Sequence, residues 1–168
     1  MITPAYCQMM ARYNAHQNKG LRAVVEAMDE DSLTKDRGAF FGSIFGTLNH
    51  LLWGDTIWMS RFDGGGAPPL SGRESVRQCP TIAVWSAERF RMDGRIQEWA
   101  RKLQAIDLTG DFEWRSDAVG RDVVKPIAMC VTHFFNHQTH HRGQVHAMLT
   151  ATGATLPDTD LFLLPEPD

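Results

Sequence analysis

The amino-acid sequence predicts an all-α fold, an antiparallel four-helix bundle that can include a short β-hairpin before the last helix. Two observations lead to this prediction. Four long segments carry apolar residues at the three- and four-residue spacing of amphipathic helices, and stretches rich in glycine, proline or polar residues separate them. Short and medium connections between long helices are typical of antiparallel neighbours. The length of 168 residues suits one domain, which we expect to span residues 1–168.

The first two helices are predicted from their caps and their apolar spacing. Thr3 can act as an N-cap and Pro4 suits the first helical position, so we expect the first helix to run to about Met28. The second helix extends from about Ser43, its N-cap, to Phe62. Its apolar stripe consists of Ile44, Leu48, Leu51, Trp58 and Phe62.

A glycine- and proline-rich stretch, residues 63–69, ends the second helix. The connection continues to Pro80, and its length suggests either a surface segment or the rim of an active site. We expect the third helix to follow its N-cap, Thr81, and to end near Ile106.

The segment between the third and the last helix predicts a two-stranded hairpin built from residues 112–115 and 122–124. A two-stranded ribbon is only marginally stable alone, so it must lean on the helices. Pro126 opens the last helix, which we expect to stop near Gly153. The apolar run 161–164 lies beyond the helices, where it either packs back on the bundle or meets a second subunit.

Composition and charge argue against several functional classes. The net charge of −3, with acidic and basic residues interspersed, gives nucleic-acid binding little electrostatic support. The N-terminus lacks the pattern of a secretion signal, so we expect a cytoplasmic protein. The longest uncharged stretch, residues 38–54, is too polar and glycine-rich for a membrane span. Cys7, Cys79 and Cys130 form no CxxC pair, and we expect reduced thiols.

Four histidines within nine residues of the last helix give the strongest chemical signal. His137 and His141 are four residues apart, so they project from one helix face about 6 Å apart along the axis and could bind one divalent ion. On a helical wheel these two lie closest to the apolar side. We expect His133 and His140, which point further toward water, to support the site or to be solvated, and His146 to have no role in it.

His50 is the candidate third ligand, because it lies at the flank of the apolar stripe of the second helix among uncharged neighbours. Three neutral imidazoles with one open position can hold a metal that binds water or substrate. Asp55, one turn further on, lies on the apolar stripe. Its carboxylate either bonds to a neighbouring helix or orients a ligand histidine. Arg142 and Gln144 either bind substrate or contact a partner helix.

Three segments resemble the DinB-like (damage-inducible DinB) metal-binding four-helix bundles, and the resemblance spans nearly the whole chain. They are Tyr13-Asn14-Ala15 with Asn18, residues 42–52 with Asp55, and residues 136–144. The resemblance implies a divalent metal ion, commonly nickel, zinc or iron, bound by His50, His137 and His141. The helical wheel and the surroundings of residue 50 select the same three histidines.

The resemblance also implies a homodimer and a choice of activities. Family members include metal-dependent transferases and isomerases that use low-molecular-weight thiols, and also hydrolases, while many have no assigned reaction. The chain departs from the family at His16, where an aromatic residue is usual; His16 could add a fourth ligand or reshape the pocket. We therefore expect a metal-dependent enzyme that activates a thiol or water. The alternatives are a metal-binding stress-response protein without turnover and a helical dimerisation module.

Overall fold

The protein is described by a computed structural model over residues 2–166, and within that range four long helices form a bundle. The α-helices are α1 Pro4–Val25, α2 Glu30–Thr34, α3 Ile44–Asp63, α4 Ile82–Lys102 and α5 Ile127–Thr150. The strands are β1 Asp111–Ser116 and β2 Arg121–Pro126, and short 3-10 turns lie at Gly72–Arg77, Ala105–Leu108 and Leu161–Leu163. The predicted four-helix bundle with a hairpin before the last helix is confirmed.

Side-chain caps begin three of the long helices as predicted. The hydroxyls of Thr3, Ser43 and Thr81 accept hydrogen bonds from backbone N–H groups three residues further on, which are otherwise unpaired in the first turn of a helix. At the other end of α3, Gly64 adopts φ +72°, a left-handed conformation that glycine adopts without steric cost. The prediction of these boundaries therefore had a local physical basis.

The sequence did not predict α2, where we expected only a polar connection. The Asp29 carboxylate accepts a hydrogen bond from the Ser32 N–H at 2.7 Å and caps this single turn, while Leu33 is buried against the core. Two predicted ends were too late. The helix α1 ends at Val25 rather than Met28, and α4 gives way to an extended residue, Leu103, before the 3-10 turn that contains Ile106.

The helices α1 and α4 pack against each other in opposite directions. Asn18 donates a hydrogen bond to Asp93 at 2.8 Å, and Arg22 donates one to Ser86 at 2.8 Å, so rising residue numbers on α1 meet falling numbers on α4. The helix α4 also packs on α3 and so joins the two halves of the bundle. The largest fully buried apolar side chains are Trp85, Phe134, Phe135, Ile44, Leu48, Leu51, Leu52, Met59, Ile96 and Leu149.

The helices α3 and α5 are also antiparallel neighbours, and this pairing positions the candidate site. The His50 ring lies 4.8 Å from that of His141, and the Trp58 ring lies 5.3 Å from that of His133, between ring centroids. One face of α3 therefore runs along the histidine-bearing face of α5 over about two helical turns.

The hairpin leans on the bundle through the inward face of β1, as predicted. Glu113 pairs with Val124 in an antiparallel register. Phe112 contacts the ring of Phe62, and Trp114 contacts that of Trp58, with centroids 5.9 and 5.5 Å apart. Aromatic contact with α3 therefore supplies the stability that two isolated strands lack.

The chain after α5 turns back along α1. Gln17 donates a hydrogen bond to the carbonyl of Asp158 at 3.0 Å, and the Tyr13 hydroxyl donates to the carbonyl of Thr159. The apolar run 161–164 is less embedded, because Phe162 remains 83% exposed. Of the two expectations for the tail, packing back on the bundle is therefore what the structure shows for residues 158–159, just before this run.

Two further predictions concern the cysteines and membranes. The three cysteines, at positions 7, 79 and 130, are buried and free, and burial raises the pKa of the Cys7 and Cys79 thiols to about 11. Within residues 2–166, no helix combines the length and the apolar character that a membrane crossing requires.

Candidate metal centre

The structure brings the three predicted histidines together on the facing sides of α3 and α5. One ring nitrogen from each of His50, His137 and His141 lies within 4.8 Å of the others. Among the residues that the structure describes, this is the only group of three or more histidine, cysteine or acidic side chains with such spacing. His137 and His141 are one turn apart on α5, and their ring centroids are 4.3 Å apart.

The spacing of the nitrogens fits a single small cation. The Nε2 atoms of His50 and His137 are 3.2 Å apart. Two imidazole nitrogens bound to one tetrahedral ion at about 2.1 Å lie roughly 3.4 Å from each other. The donor set also fits, since three imidazoles suit Zn²⁺, Ni²⁺ and iron and leave a further coordination position open.

Hydrogen bonds at the far side of two rings orient their Nε2 atoms toward the centre. The Nδ1 of His141 lies 2.7 Å from Oε1 of Gln144, an atom that only accepts, so His141 carries its proton on Nδ1. The Nδ1 of His50 lies 2.9 Å from Oγ of Ser75, which can accept in the same way. Such partners commonly fix the tautomer and orientation of metal-binding histidines. The structure shows Gln144 in contact with a candidate ligand on its own helix, while its predicted role in substrate binding stays a prediction.

Burial keeps the three imidazoles neutral. Burial, together with the proximity of the other histidines, lowers the pKa of His137 to about 3 and that of His50 to about 4. Burial also lowers the pKa of His141. At neutral pH the rings therefore carry no proton that a metal ion would have to displace.

Aromatic side chains form one wall of the centre. The ring of Phe41 stacks on that of His50, with centroids 3.8 Å apart, and its centroid lies 5.4 Å from that of His141. On the next turn of α3, Trp53 lies 6.1 Å from His50 and donates a hydrogen bond to the carbonyl of Leu70 at 2.8 Å. These rings limit the access of water to one side of the histidine group.

Two of these contacts come from loops that helix-based reasoning did not reach. Phe41 belongs to the loop before α3, where Gly42 has φ +75° and turns the chain back toward the helix. Ser75 belongs to the long connection between α3 and α4, which therefore forms part of the rim, one of its two predicted roles. The only sequence signal for Ser75 was the unusual length of that connection.

His133 and His140 of α5 lie where the helical wheel placed them, and His16 of α1 lies away from the group. His133 and His140 are exposed at the edge of the group, 5.7 Å from His137 and 4.9 Å from His141 between ring centroids. The suggestion that His16 adds a fourth ligand is wrong. Its side chain is exposed on α1 and lines a cleft against α4, outside the group of three histidines.

Asp55 bonds to neighbouring helices and not to a ligand histidine. Its carboxylate forms an ion pair with Arg89 of α4 and accepts a hydrogen bond from Gln138 of α5 at 2.9 Å. Both ionic side chains are 1% exposed. Arg89 continues the network to Asp93 at 2.8 Å. The network therefore links α4 to α3 and α5, the two helices that carry the candidate ligands.

Arg142 follows His141 and is also buried, with its guanidinium 5.5 Å from the ring centroid of Tyr13 on α1. Burial lowers the pKa of Arg142 to about 10, still far above neutrality. Of its two predicted roles, contact with a partner helix is the one that the structure shows.

A glycine makes room for the His137 ring. A Cβ added at Gly54 would lie 2.7 Å from Cε1 of His137, closer than carbon atoms approach. We expect Gly54→Ala to displace this ring and lower the affinity for Zn²⁺ by about tenfold or more, as a disturbed ligand orientation does. A chelator-competition titration measures the change.

The matched control is Gly143→Ala on α5, where an added Cβ meets no atom within 4 Å. This variant should keep the wild-type affinity and gain about 0.5–1 kcal/mol in free energy of unfolding, because alanine favours a helix over glycine. Wild-type affinity in a folded Gly54→Ala variant would mean that His137 is not a ligand.

The hydrogen bond from His141 to Gln144 gives a second prediction. Gln144→Leu removes the acceptor and replaces it with an apolar side chain of similar size. The His141 ring therefore loses its fixed orientation. We expect the affinity for Zn²⁺ to fall by about 10- to 100-fold. Gln8→Leu, at an exposed position of α1, is the control and should leave the affinity unchanged. Equal affinities of the two variants would refute the proposed orientation of His141.

Comparisons with known proteins agree with this architecture. A crystal structure of a DinB-like protein from Bacillus cereus superposes with a TM-score of 0.63 at 16% sequence identity, covering 87% of this chain and 90% of that one. At that identity the likeness shows the fold. No sequence among the curated proteins matches the chain significantly. The model of the DinB family, however, matches residues 1–168. The chain therefore belongs to the DinB family.

Proposed function

We propose that the protein is a metal-dependent enzyme that activates a thiol or a water molecule at the three-histidine centre. The observation that carries this proposal is the convergence of His50, His137 and His141 without a fourth metal-ligating side chain from the described residues. Structural zinc sites are usually closed by four protein ligands, whereas catalytic sites keep a position for water or substrate. His50 and His137 are also partly exposed, so a small molecule can reach them.

Each group around the centre has a role in this proposal. A divalent ion held there would lower the pKa of a bound water or thiol and so supply a nucleophile at neutral pH. Ser75 and Gln144 keep the Nε2 atoms of His50 and His141 directed at the ion. Phe41 excludes water from the side on which it stacks. The exposed rings of His133 and His140 lie beside His137 and His141, where they would contact a bound substrate.

We also propose that the metal is nickel, zinc or iron and that the substrate is a small molecule. An all-imidazole donor set supports nickel, zinc or iron over calcium or magnesium, which prefer oxygen ligands. Thiol activation ranks above water activation because of the family resemblance. We also propose a homodimer that acts in the cytoplasm on a low-molecular-weight thiol or another small molecule, without nucleic-acid or membrane partners.

The test is an activity screen with defined metal content. Freshly purified protein is analysed for metals, stripped by dialysis, and reloaded with Ni²⁺, Zn²⁺ or Fe²⁺. Each form is assayed for conjugation of low-molecular-weight thiols to electrophiles and for hydrolysis of activated esters. We expect turnover that requires metal and is lost in His141→Ala. Stoichiometric metal without turnover in any assay would favour a non-catalytic metal-binding protein. Protein that refuses all three metals would favour a dimerisation module.

A further inference from the structure

A second cleft, of about 640 Å³, lies between α1 and α4 and is lined by none of the residues of the metal centre. We propose that this cleft binds a small organic anion with an aromatic body. Its volume is that of ordinary small-molecule sites. His16 of α1 also lines it.

Small residues on the facing helices leave the floor of the cleft open. Ala15 of α1 and Gly94 of α4 both line it. A Cβ added at Gly94 would meet no atom within 4 Å, which shows that the space above this position is empty of protein. A glycine inside a helix costs roughly 0.5–1 kcal/mol relative to alanine. At Gly94 the protein makes no close contact that only a glycine would allow and that would offset this cost. What the glycine leaves at this position is open space in the cleft.

The cleft is basic in an otherwise acidic protein. Arg12, Lys19, Arg22 and Arg91 line it, although the chain carries a net charge of −3. Within residues 2–166, neither Arg12 nor Lys19 pairs with a carboxylate oxygen within 4 Å, and Arg12 donates a hydrogen bond to the carbonyl of Pro165. Arg22 has only a distant pair, 3.6 Å from Glu26. Arg91 forms an ion pair with Glu88. Arg12 and Lys19 are therefore the cations of the lining that are best placed to attract an anionic group.

The acidic residues on the lining do not cancel this charge. Asp93 is buried, and its carboxylate is engaged by Arg89 at 2.8 Å and by Asn18 at 2.8 Å. Glu166, at the tail, is the other acidic residue on the lining. The lining carries four cationic side chains against these two acidic ones, so its net charge is positive.

An exposed aromatic ring lies beside these cations. Phe90 is 66% exposed, although aromatic side chains are usually buried. The guanidinium of Arg22 lies 5.4 Å from the centroid of this ring and donates a hydrogen bond to Ser86 at 2.8 Å, which holds it in place. At the tail end, Leu164 and Pro165 add apolar surface. A ligand that stacks on Phe90 and presents an anionic group to the arginines would use both features.

The same observations argue against a nucleic acid as the occupant. Nucleic-acid binding requires a basic stripe that follows several phosphates, whereas this cleft is a short groove on an acidic chain. A compact anion of a few charges fits the volume and the number of cations better.

Phenyl phosphate, which combines an aromatic ring with a dianion, is a suitable probe. We expect the metal-loaded protein to bind it with one-to-one stoichiometry in a calorimetric or NMR titration. Inorganic phosphate should bind about tenfold more weakly because it lacks the ring. Lys19→Glu should weaken phenyl phosphate binding by at least about tenfold. The control Arg101→Glu, on α4 but outside the cleft, should leave it unchanged.

Gly94→Leu tests the location without removing charge, since the new side chain fills the open floor. We expect it to abolish phenyl phosphate binding and to leave the metal content unchanged, so that failure here is distinct from failure at the metal centre. Binding that survives both Gly94→Leu and Lys19→Glu, or no binding by the wild-type protein, would overturn the proposal. A dimer that Gly94→Leu dissociates in sedimentation experiments would also overturn it, because the cleft would then be an interface between copies.

Discussion

We expect the His141→Ala variant to bind Zn²⁺ or Ni²⁺ more than about 100-fold more weakly than the wild-type protein, because loss of a ligand exceeds the 10- to 100-fold cost of losing a group that merely orients one. His141 is the most buried member of the histidine group, and its Nδ1–H is already committed to Gln144. Isothermal titration calorimetry or chelator competition at neutral pH measures the difference.

His146→Ala is the matched control, because it removes the same side chain from the same helix. His146 lies five residues beyond His141 and lines a different cleft, between α1 and α5. We expect its removal to leave the affinity unchanged. Equal losses of affinity in the two variants would show that the ion binds elsewhere on the chain.

The second large effect concerns the buried ion pair between Asp55 of α3 and Arg89 of α4. Asp55→Ala leaves the Arg89 guanidinium, 1% exposed, without one of its two carboxylates, and Gln138 without its acceptor. Breaking a buried pair by removing one partner typically costs about 3–5 kcal/mol. We expect a loss of that size in the free energy of unfolding, measured by urea denaturation followed by circular dichroism.

A surface pair provides the comparison for Asp55→Ala. Glu98→Ala breaks ion pairs with Arg101 and Lys102, in which all three side chains are well exposed, and such pairs often contribute nothing measurable. We expect no change in its urea midpoint. If Asp55→Ala unfolds the protein outright, Asp55→Asn, which retains the shape and part of the hydrogen bonding, should show an intermediate loss. A wild-type midpoint for both Asp55 variants would contradict the structural role of the network.

The sequence alone predicted the features that depend on local chemistry. Helix beginnings follow from hydroxyl side chains at Thr3, Ser43 and Thr81, which bond within their own first turn. The pairing of His137 with His141 follows from helix geometry. Both were predictable because the groups involved are at most four residues apart.

Features that depend on contacts between distant segments were not predictable in this way. Ser75 is 25 residues from His50, and Phe41 reaches the same ring from a loop whose course depends on the rest of the fold. His16 was considered as a ligand because of its place in a family pattern, but the direction of its side chain depends on how α1 packs on α4. The sequence could not show whether Asp55 bonds to a neighbouring helix or orients a ligand histidine, because its partner Arg89 lies on another helix.

X-ray absorption spectroscopy of the reloaded protein tests the central claim most directly, because it counts the ligands of the ion and identifies their atoms. The account predicts one ion per chain with three imidazole nitrogens at about 2.0–2.1 Å and at least one oxygen from solvent. The histidine count should fall to two in His141→Ala. Sulfur ligands, a single histidine, or no retained ion would contradict the assignment of His50, His137 and His141 as the metal centre.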